Sequence, residues 1–270
     1  MTRSMATPMR IFLCLSWLSA RPQSAASAEE VAQLRAKAES GDAEAQLQLG
    51  RAYDDGNGVP QSDSEAVKWY RAAAEQGNAT AQDELAVMYR SGRGVEKDKV
   101  AAVKWYKKAA RQKNPTAMFN PGTAYYNGDG VSIDDVSAYA WFSLAQDFGS
   151  QPAIDAVRRM KEEKGNLEAA AFERVGDMFA KGDHLPQSYS DATRWYRKAV
   201  ESGSSPAQMK LVSLLLQGPS ADSNYPEARS LRESAAASRS PAGVYCLGLL
   251  YQKGWGVSPD LDKCMGRGKE

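Results

Sequence analysis

Apolar and aromatic positions recur along the chain with a fixed period of 36 residues. One position marks the phase; it holds, in order, Trp69, Trp105, Trp141, Trp195, Leu231 and Arg267. The step from Trp141 to Trp195 is 54 residues, which is one period plus 18. A fixed period in this range is typical of stacked-repeat proteins. The sequence therefore predicts a solenoid.

Each period contains two amphipathic segments, here named helix A and helix B. In the first period, helix A covers about residues 42–54 and has apolar side chains four residues apart, at Ala45, Leu49 and Tyr53. Helix B has apolar residues at i, i+3, i+4 and i+7, namely Ala66, Trp69, Tyr70 and Ala73. Both spacings form one helical face. A single pair cannot bury these faces, so we expect stacked pairs to share a continuous core.

Turn and capping residues keep the same phase. Seven residues before each marker position is a short polar residue suited to capping a helix N-terminus: Ser62, Asp98, Asp134, Ser188, Asn224 and Asp260. A Gly-x-Gly-Val turn precedes four of these caps, beginning at Gly56, Gly92, Gly128 and Gly254. The two other copies read Gly182-Asp-His184 and Gly218-Pro-Ser220. We expect those two turns to differ in conformation.

The combined pattern, A-x-x-x-L-G-x-x-Y-x-x-G-x-G-V followed by D-x-x-x-A-x-x-W-Y-x-x-A-A-x-x-G, resembles the Sel-1-like repeat, a relative of the tetratricopeptide repeat. The match is close at 42–77, 78–113 and 114–149, and weaker at 168–203, 204–239 and 240–270. The resemblance implies an all-α, right-handed α-α superhelix, a solenoid of about six helix-turn-helix repeats. It also implies a scaffold for a partner protein.

The first 28 residues have the order of a secretory signal. Arg3 and Arg10 precede the short apolar run 11–18, and Ala26-Ser-Ala28 supplies small residues before two glutamates. This pattern predicts cleavage near Ala28 and an exported protein, periplasmic or secreted. A disordered start of a cytosolic protein is the alternative.

The remaining chain divides into three predicted regions. Residues 29–149 hold a capping helix and three close-match repeats, 150–167 an inserted helix, and 168–270 three divergent repeats, the last incomplete. The insertion has a partial apolar stripe and a Gly165-Asn166 stop; it is either a spacer or a bend in the superhelix. Pro121 occupies the slot of Leu49. We expect it to kink helix A of the third repeat, or else to delay the start of that helix to Asn120.

Charge and hydropathy exclude some functions. The net charge is +1, and removal of residues 1–28 takes away three arginines and no acid, which leaves −2. Nucleic-acid binding needs a basic stripe and is not expected. No long apolar run follows residue 28, so we expect no stable membrane insertion after signal cleavage.

The sequence contains no catalytic, cofactor-binding or metal-binding motif. His184 is the single histidine and is interpreted as a surface loop residue, so a His-Glu-x-x-His zinc site is excluded. The acids Asp129, Asp134 and Asp135 lack the final glutamate of a calcium loop. Neither Gly-x-Ser-x-Gly nor Ser-x-x-Lys occurs. After cleavage two cysteines remain, Cys246 and Cys264, and a disulfide between them is left open.

In related helical repeats, helix A lines the concave side of the superhelix. The helix A residues outside the buried stripe are Gln48, Arg51, Asp54, Glu84, Val87, Arg90, Asn120, Thr123 and Tyr126. We predict that they bind a partner protein, because arginine and aromatic side chains are enriched at interfaces. The resemblance allows roles in envelope signalling or polysaccharide regulation. The alternatives are a module that binds peptidoglycan or another glycan and, least favoured, a cell-wall-active enzyme.

Overall fold

The computed structural model describes residues 27–217 and residue 230, and the described part is helical throughout, without strands. Its helices are α1 (Ala28–Glu39), α2 (Ala43–Asp55), α3 (Asp63–Glu75), α4 (Ala79–Ser91), α5 (Lys99–Ala110), α6 (Pro115–Asn127), α7 (Asp135–Asp147), α8 (Gln151–Lys164), α9 (Glu168–Lys181), α10 (Tyr189–Glu201) and α11 (Ser205–Gln217). The all-α, helix-turn-helix prediction is confirmed.

Helices A and B alternate as the period requires. The A–B pairs are α2–α3, α4–α5, α6–α7 and α9–α10. The predicted caps within the described residues are confirmed, since Ser62, Asp98, Asp134 and Ser188 each accept a hydrogen bond from the backbone N–H three residues on. The caps predicted at Asn224 and Asp260 lie outside the described residues, as do both cysteines and residues 1–26.

The repeated apolar positions form the core. Leu49 and Ala66 are fully buried, and Tyr70 is 1% exposed. Three marker tryptophans are also buried, with exposures of 8% for Trp69, 2% for Trp141 and 1% for Trp195. Trp105 is half-buried and packs against the same core. Each large side chain buried in this way contributes about 1.5–3 kcal/mol, so the marker positions are a main source of stability.

The chain divides into two compact units. Among the described residues, the first unit contains 27–106 together with 126–133, and the second contains 107–125 together with 134–217. Each is described separately below. In the first unit, buried side chains of α1, α2, α3 and α4 form one hydrophobic cluster.

The turn at Gly182 differs from its prediction. Gly56 and Gly58 have φ of 69° and 74°, whereas Gly182 and His184 have φ of 68° and 62°. The fourth repeat therefore keeps the left-handed turn, and the expectation of a different conformation was wrong there. Histidine is one of the few non-glycine residues enriched in this region. The turn at 218–220 lies outside the described residues.

Helix α6 runs through Pro121 without interruption. It begins at Pro115, and the Asn114 side chain accepts hydrogen bonds from the backbone N–H groups of Thr116 and Ala117. Proline suits the first helical position because its missing N–H would be unpaired there anyway. The delayed start at Asn120 is therefore wrong. Pro121 itself is buried and cannot donate a hydrogen bond to the preceding turn.

Helix α8 occupies the insertion and ends at Gly165. Ala153 and Met160 are buried, while Ile154 is 38% exposed, so only part of the expected stripe is covered. In the second unit, α7 packs against both α8 and α9. This explains why the nine consecutive residues 137–145 of α7 are all buried.

Candidate partner-binding surface and cleft

Glycines on helix A bring a helix B aromatic ring close to the backbone. A β-carbon on Gly50 would lie 2.6 Å from Cδ1 of Tyr70, and Gly176 faces Tyr196 in the same way. The Tyr70 hydroxyl lies 3.2 Å from Asp54 and the Tyr196 hydroxyl 2.8 Å from Asp177. The helix A glycine thus lets the ring pack and its hydroxyl reach a carboxylate on the same helix.

Arg51 and Glu84 join consecutive A helices. The Arg51 Nη2 atom lies 3.3 Å from Glu84 Oε1, and the two side chains are 41% and 32% exposed. Burial raises the pKa of Glu84, and the Arg51 guanidinium opposes that rise. These two predicted site residues therefore pair with each other, with one face of the pair open to solvent.

Two ion pairs occupy equivalent positions in successive repeats with their charges exchanged. Arg93 donates to Asp63 at 2.6 Å and also bonds Asp54, whereas Lys99 donates to Asp129 at 2.5 Å. In each pair the turn residue lies 30 positions after its partner at the start of helix B. The pairs tie each turn of the first unit to the preceding helix B. Asp54 is therefore held in a structural contact.

The remaining predicted site residues differ in exposure. Gln48 and Arg90 are exposed, and the Gln48 amide donates to Glu44 at 2.7 Å. Val87 and Tyr126 are half-buried. Thr123 belongs to the second unit and its hydroxyl bonds the Phe119 carbonyl at 3.4 Å. In the first unit, the structure thus places Gln48, Arg51, Glu84, Val87 and Arg90 on the consecutive A helices α2 and α4, a set named here the helix-A surface.

A basic side chain two residues after the marker position contacts the next helix A. Arg71 donates to the Tyr89 hydroxyl at 2.9 Å, and Lys107 to the Tyr125 hydroxyl at 3.0 Å. One period on, these slots hold Ser143 and Phe179, so both partners of the contact change together. The ordered sequence of repeats is therefore interrupted where the insertion enters.

A cleft of about 360 Å³ lies in the second unit beside this interruption. It is lined by Tyr125, Asp134, Ser137, Trp141, Arg174, Asp177, Met178, Lys181, Asp183 and His184. The His184 ring lies 6.4 Å from the Trp141 ring, and its Nε2 atom lies 3.3 Å from Lys107 Nζ. His184 is therefore a half-buried turn residue in the wall of the cleft, with 36% of its side chain exposed.

The acids of the cleft are mostly paired. Burial acts to raise the pKa of Asp134, but hydrogen bonds from Ser137 and Arg174 outweigh it and lower that pKa. Both carboxylate oxygens of Asp177 lie 2.7 Å from Lys210 Nζ. Burial and Lys107 lower the pKa of His184, and Arg111 adds to the effect while Asp183 opposes it. His184 is therefore neutral at pH 7.

Two departures from the repeat pattern mark the position of this cleft, although neither is a recognised functional motif. One is a histidine in a slot held by Gly58, Gly94 and Gly130 in the first three repeats. The other is the insertion before the fourth repeat. Neither Arg174 nor Lys181 has a motif of its own, because the cleft is assembled from α6, α7 and α9.

The acidic residues that resembled a calcium loop have separate contacts. Asp129 pairs with Lys99 at 2.5 Å, Asp134 caps α7, and Asp135 lies 3.2 Å from Lys164. Residues 27–217 contain no group of three or more possible metal ligands. Within the same stretch, the helices are too short and too polar to cross a bilayer.

Comparison with known proteins gives consistent similarities. A family profile described as Sel1 repeat matches residues 43–78, 79–114, 115–145, 170–204 and 241–266, more than half of the chain. The ubiquitin-ligase component HRD3B of Arabidopsis thaliana, described as associated with ERAD, is 31% identical over 121 residues, which are 44% of this chain and 18% of that protein. The uncharacterized protein NMB1327 of Neisseria meningitidis is 30% identical over 79 residues, 29% of this chain and 17% of that protein. The chain thus spans under a fifth of both relatives.

Two solved structures are also similar. The protective antigen c5321 of uropathogenic Escherichia coli, described as having an SLR fold, is 28% identical with a TM-score of 0.42, and the match covers 88% of this chain and 62% of the antigen. A Sel1 repeat protein from Oxalobacter formigenes is 39% identical with a TM-score of 0.44, covering 48% of this chain and 98% of that protein.

Proposed function

Given that this chain belongs to the Sel1 repeat family, we propose that it is a non-catalytic, exported adaptor that binds a partner protein through the helix-A surface. Sel1 repeats generally mediate protein–protein interaction. A role in envelope signalling or in polysaccharide regulation belongs to the same proposal.

The composition of the helix-A surface is the observation that carries this proposal. Gln48 and Arg90 are exposed and lie on the consecutive A helices α2 and α4, and the apolar side chain of Val87, also on α4, is half-buried. The Arg51–Glu84 pair is partly open to solvent. A partner can cover the apolar side chain and pair with the arginines, which are among the residues enriched at interfaces. Binding energy usually concentrates in a few such anchors.

The buried tryptophans support the adaptor over the glycan-binding alternative. Stacking on a sugar ring needs an exposed aromatic face, and Trp69, Trp141 and Trp195 are at most 8% exposed. Their indoles fill the core between helices, as the Sel1 period requires. Among the marker tryptophans, only Trp105 keeps a partly exposed surface.

Partner capture tests the helix-A surface. The full chain, with a tag added at its C-terminus, is purified from the envelope fraction after cross-linking, and the captured partner is then titrated against purified variants. We expect Arg90→Glu to weaken binding about tenfold or more, since it reverses an exposed anchor. Lys104→Glu on α5 is the matched control, because Lys104 is also exposed but lies on a B helix. Equal affinity of Arg90→Glu and wild type for every captured partner would reject the surface.

Export is tested separately by fractionation. The proposed signal rests on Arg3, Arg10, the apolar run 11–18 and the small residues before Glu29. We expect mass spectrometry of the envelope fraction to find a chain that begins near residue 29. A chain with an intact N-terminus in the cytosol would reject export without affecting the adaptor proposal.

A further inference from the structure

The fourth repeat, which contains the cleft beside His184, departs from a steric feature of the second and third repeats. In the second repeat, a β-carbon on Gly94 would overlap the backbone of Asp63, and in the third a β-carbon on Gly130 would overlap that of Lys99. These turns therefore press directly on the start of the preceding helix B. In the fourth repeat the same slot carries an imidazole, and an open cleft lies beside it, lined by residues of α7, α9 and the turn after α9. Arg174 of α9 still bonds Asp134 and Ser137 at the start of α7.

The unpaired charge in and around this cleft is positive. The Arg174–Asp134 pair, at 2.5 Å, cancels. Lys210 lies 2.7 Å from both Asp177 and Glu173, so one carboxylate charge of these two is left over. The two contacts of Lys107 are with neutral groups, the Tyr125 hydroxyl and the His184 ring.

Three further charged side chains complete the balance. Lys181 is exposed, and none of the ion pairs seen among residues 27–217 includes it. Arg111, the first residue after α5, acts on His184. Asp183, 62% exposed, is the acid left beside His184. The three cations Lys107, Arg111 and Lys181 therefore face two carboxylate charges, that of Asp183 and the one that Lys210 leaves over, so a small positive excess remains.

We propose that this cleft binds a carboxylate-bearing acidic segment of a partner protein, with Lys181 and Lys107 pairing with the carboxylates and Arg174 offering its remaining N–H groups. The volume of about 360 Å³ suits one or two side chains and no more, within the usual range of small ligand sites. Trp141 and Met178 form the apolar floor on which the segment rests. The ligand's origin in a partner rests on the adaptor function proposed above, but the cleft and its charge do not.

His184 makes the binding dependent on pH. The groups facing it are Lys107 from α5, Arg111 from the turn after α5, Trp141 from α7 and Asp183 from its own turn. The cations oppose protonation of the imidazole, and a bound carboxylate favours it. The segment should accordingly bind more tightly as the pH falls from about 7.5 to about 6, where an unperturbed histidine titrates.

The single histidine permits a direct experiment. The chain carries a tag without histidine, and the imidazole resonances are titrated by NMR with and without the peptide Ac-Gly-Phe-Glu-Asp-Glu-Gly-NH2. We expect the peptide to raise the midpoint of His184 by about one pH unit. The control peptide Ac-Gly-Phe-Gln-Asn-Gln-Gly-NH2 should leave it unchanged. No change with the acidic peptide, or an equal effect of the control peptide, overturns the proposal.

Calorimetry with variants locates the site. Lys181→Glu should weaken the acidic peptide about tenfold, whereas Lys104→Glu, an equal charge change outside the cleft, should have less than a twofold effect. His184→Gly, which suits the left-handed backbone and keeps the fold, should abolish the pH dependence. Equal weakening by both lysine variants would mean non-specific attraction and overturns the site.

Succinate separates the two sources of carboxylate. If succinate alone, at the peptide's concentration, gives the full change in the His184 midpoint, the cleft takes free organic acids and the partner segment is wrong. If the cleft fails all these tests while Arg90→Glu still releases the captured partner, only this inference fails. The adaptor proposal fails separately, if neither Arg90→Glu on the helix-A surface nor Lys181→Glu in the cleft changes partner capture.

Discussion

Single glycines within helix A decide how closely two helices pack. Gly50 lies in a helix and is buried under the Tyr70 ring, with 2.6 Å between its would-be β-carbon and Cδ1. Alanine is favoured over glycine by about 1 kcal/mol in a helix interior. Overpacking costs about 1–3 kcal/mol, and the ring cannot rotate away without leaving Asp54. We therefore expect Gly50→Ala to destabilise the protein by about 1–2 kcal/mol in urea unfolding.

The second repeat provides the matched control. Its equivalent slot already holds Ala86, which packs with Tyr106 in a buried cluster. Ala86→Gly should also destabilise, but through helix propensity alone, by about 1 kcal/mol. A Gly50→Ala variant that unfolds at higher urea than wild type would show that the Tyr70 ring is not a constraint.

His184 links stability to pH. Its folded pKa is lowered by burial and Lys107, so the unfolded chain binds the proton more readily. Stability from this group is therefore complete above the unfolded pKa of about 6.5 and is lost as the pH falls below that value and through the lower folded pKa. We expect the stability of wild type relative to His184→Gly to decrease between about pH 7.5 and 5.5. The difference between the two proteins cancels the titration of the remaining groups; a difference independent of pH would contradict the structure around His184.

At the residue scale, contacts within one repeat can be predicted from the sequence, whereas side-chain pairs between repeats cannot. The caps Ser62 and Asp134 follow from chain position alone, and both are confirmed. The exchanged pairs Asp63–Arg93 and Lys99–Asp129 could not be predicted, because their partners are 30 residues apart and change sign between repeats.

At the scale of elements, α1 depends on a residue beside the proposed cleavage site. Ser27 and Glu30 form a reciprocal capping box at its N-terminus. Ser27→Ala should destabilise α1 by about 1 kcal/mol, seen as faster amide exchange in its first turns. Ser40→Ala, after the C-terminal end, is the control. Cleavage after Ala28 would remove the same cap, so a mature chain beginning at Glu29 should exchange its α1 amides as fast as the Ser27→Ala variant does. Slower exchange in the mature chain would show that the Ser27 cap does not control the stability of α1.

The sequence predicted where elements exist better than how they adapt. Helix α8 was expected from its apolar positions and its glycine stop, and a helix is present at Gln151–Lys164. Pro121 left two alternatives because helix propensity cannot weigh one lost hydrogen bond against the burial of a whole helix face. The structure keeps α6 continuous, which means that packing of Ala117 and Met118 outweighs the local penalty.

At the scale of the whole molecule, one insertion divides an otherwise regular repeat sequence. Deleting residues 151–168 removes 18 positions and restores the interval of 36 between Trp141 and Trp195. Ser150 would then precede Ala169, in the place where Asp42 and Asn78 cap helix A in the regular repeats. If only the helical pattern mattered, the protein should fold without residues 151–168 and lose little stability. The geometry of the turn at His184 predicts instead that the deletion destabilises the protein.

The restored phase would press the His184 slot against the start of α7, as Gly94 and Gly130 press on the preceding helix B. An imidazole cannot fit where a single β-carbon already overlaps backbone. We therefore expect the deletion alone to melt well below the deletion combined with His184→Gly, by about 4 °C or more, as a clash of about 2 kcal/mol implies. His184→Gly in the intact chain should bring no such gain, because the cleft already accommodates the ring. Equal melting of the two deletion variants would mean that the insertion does not hold the cleft open.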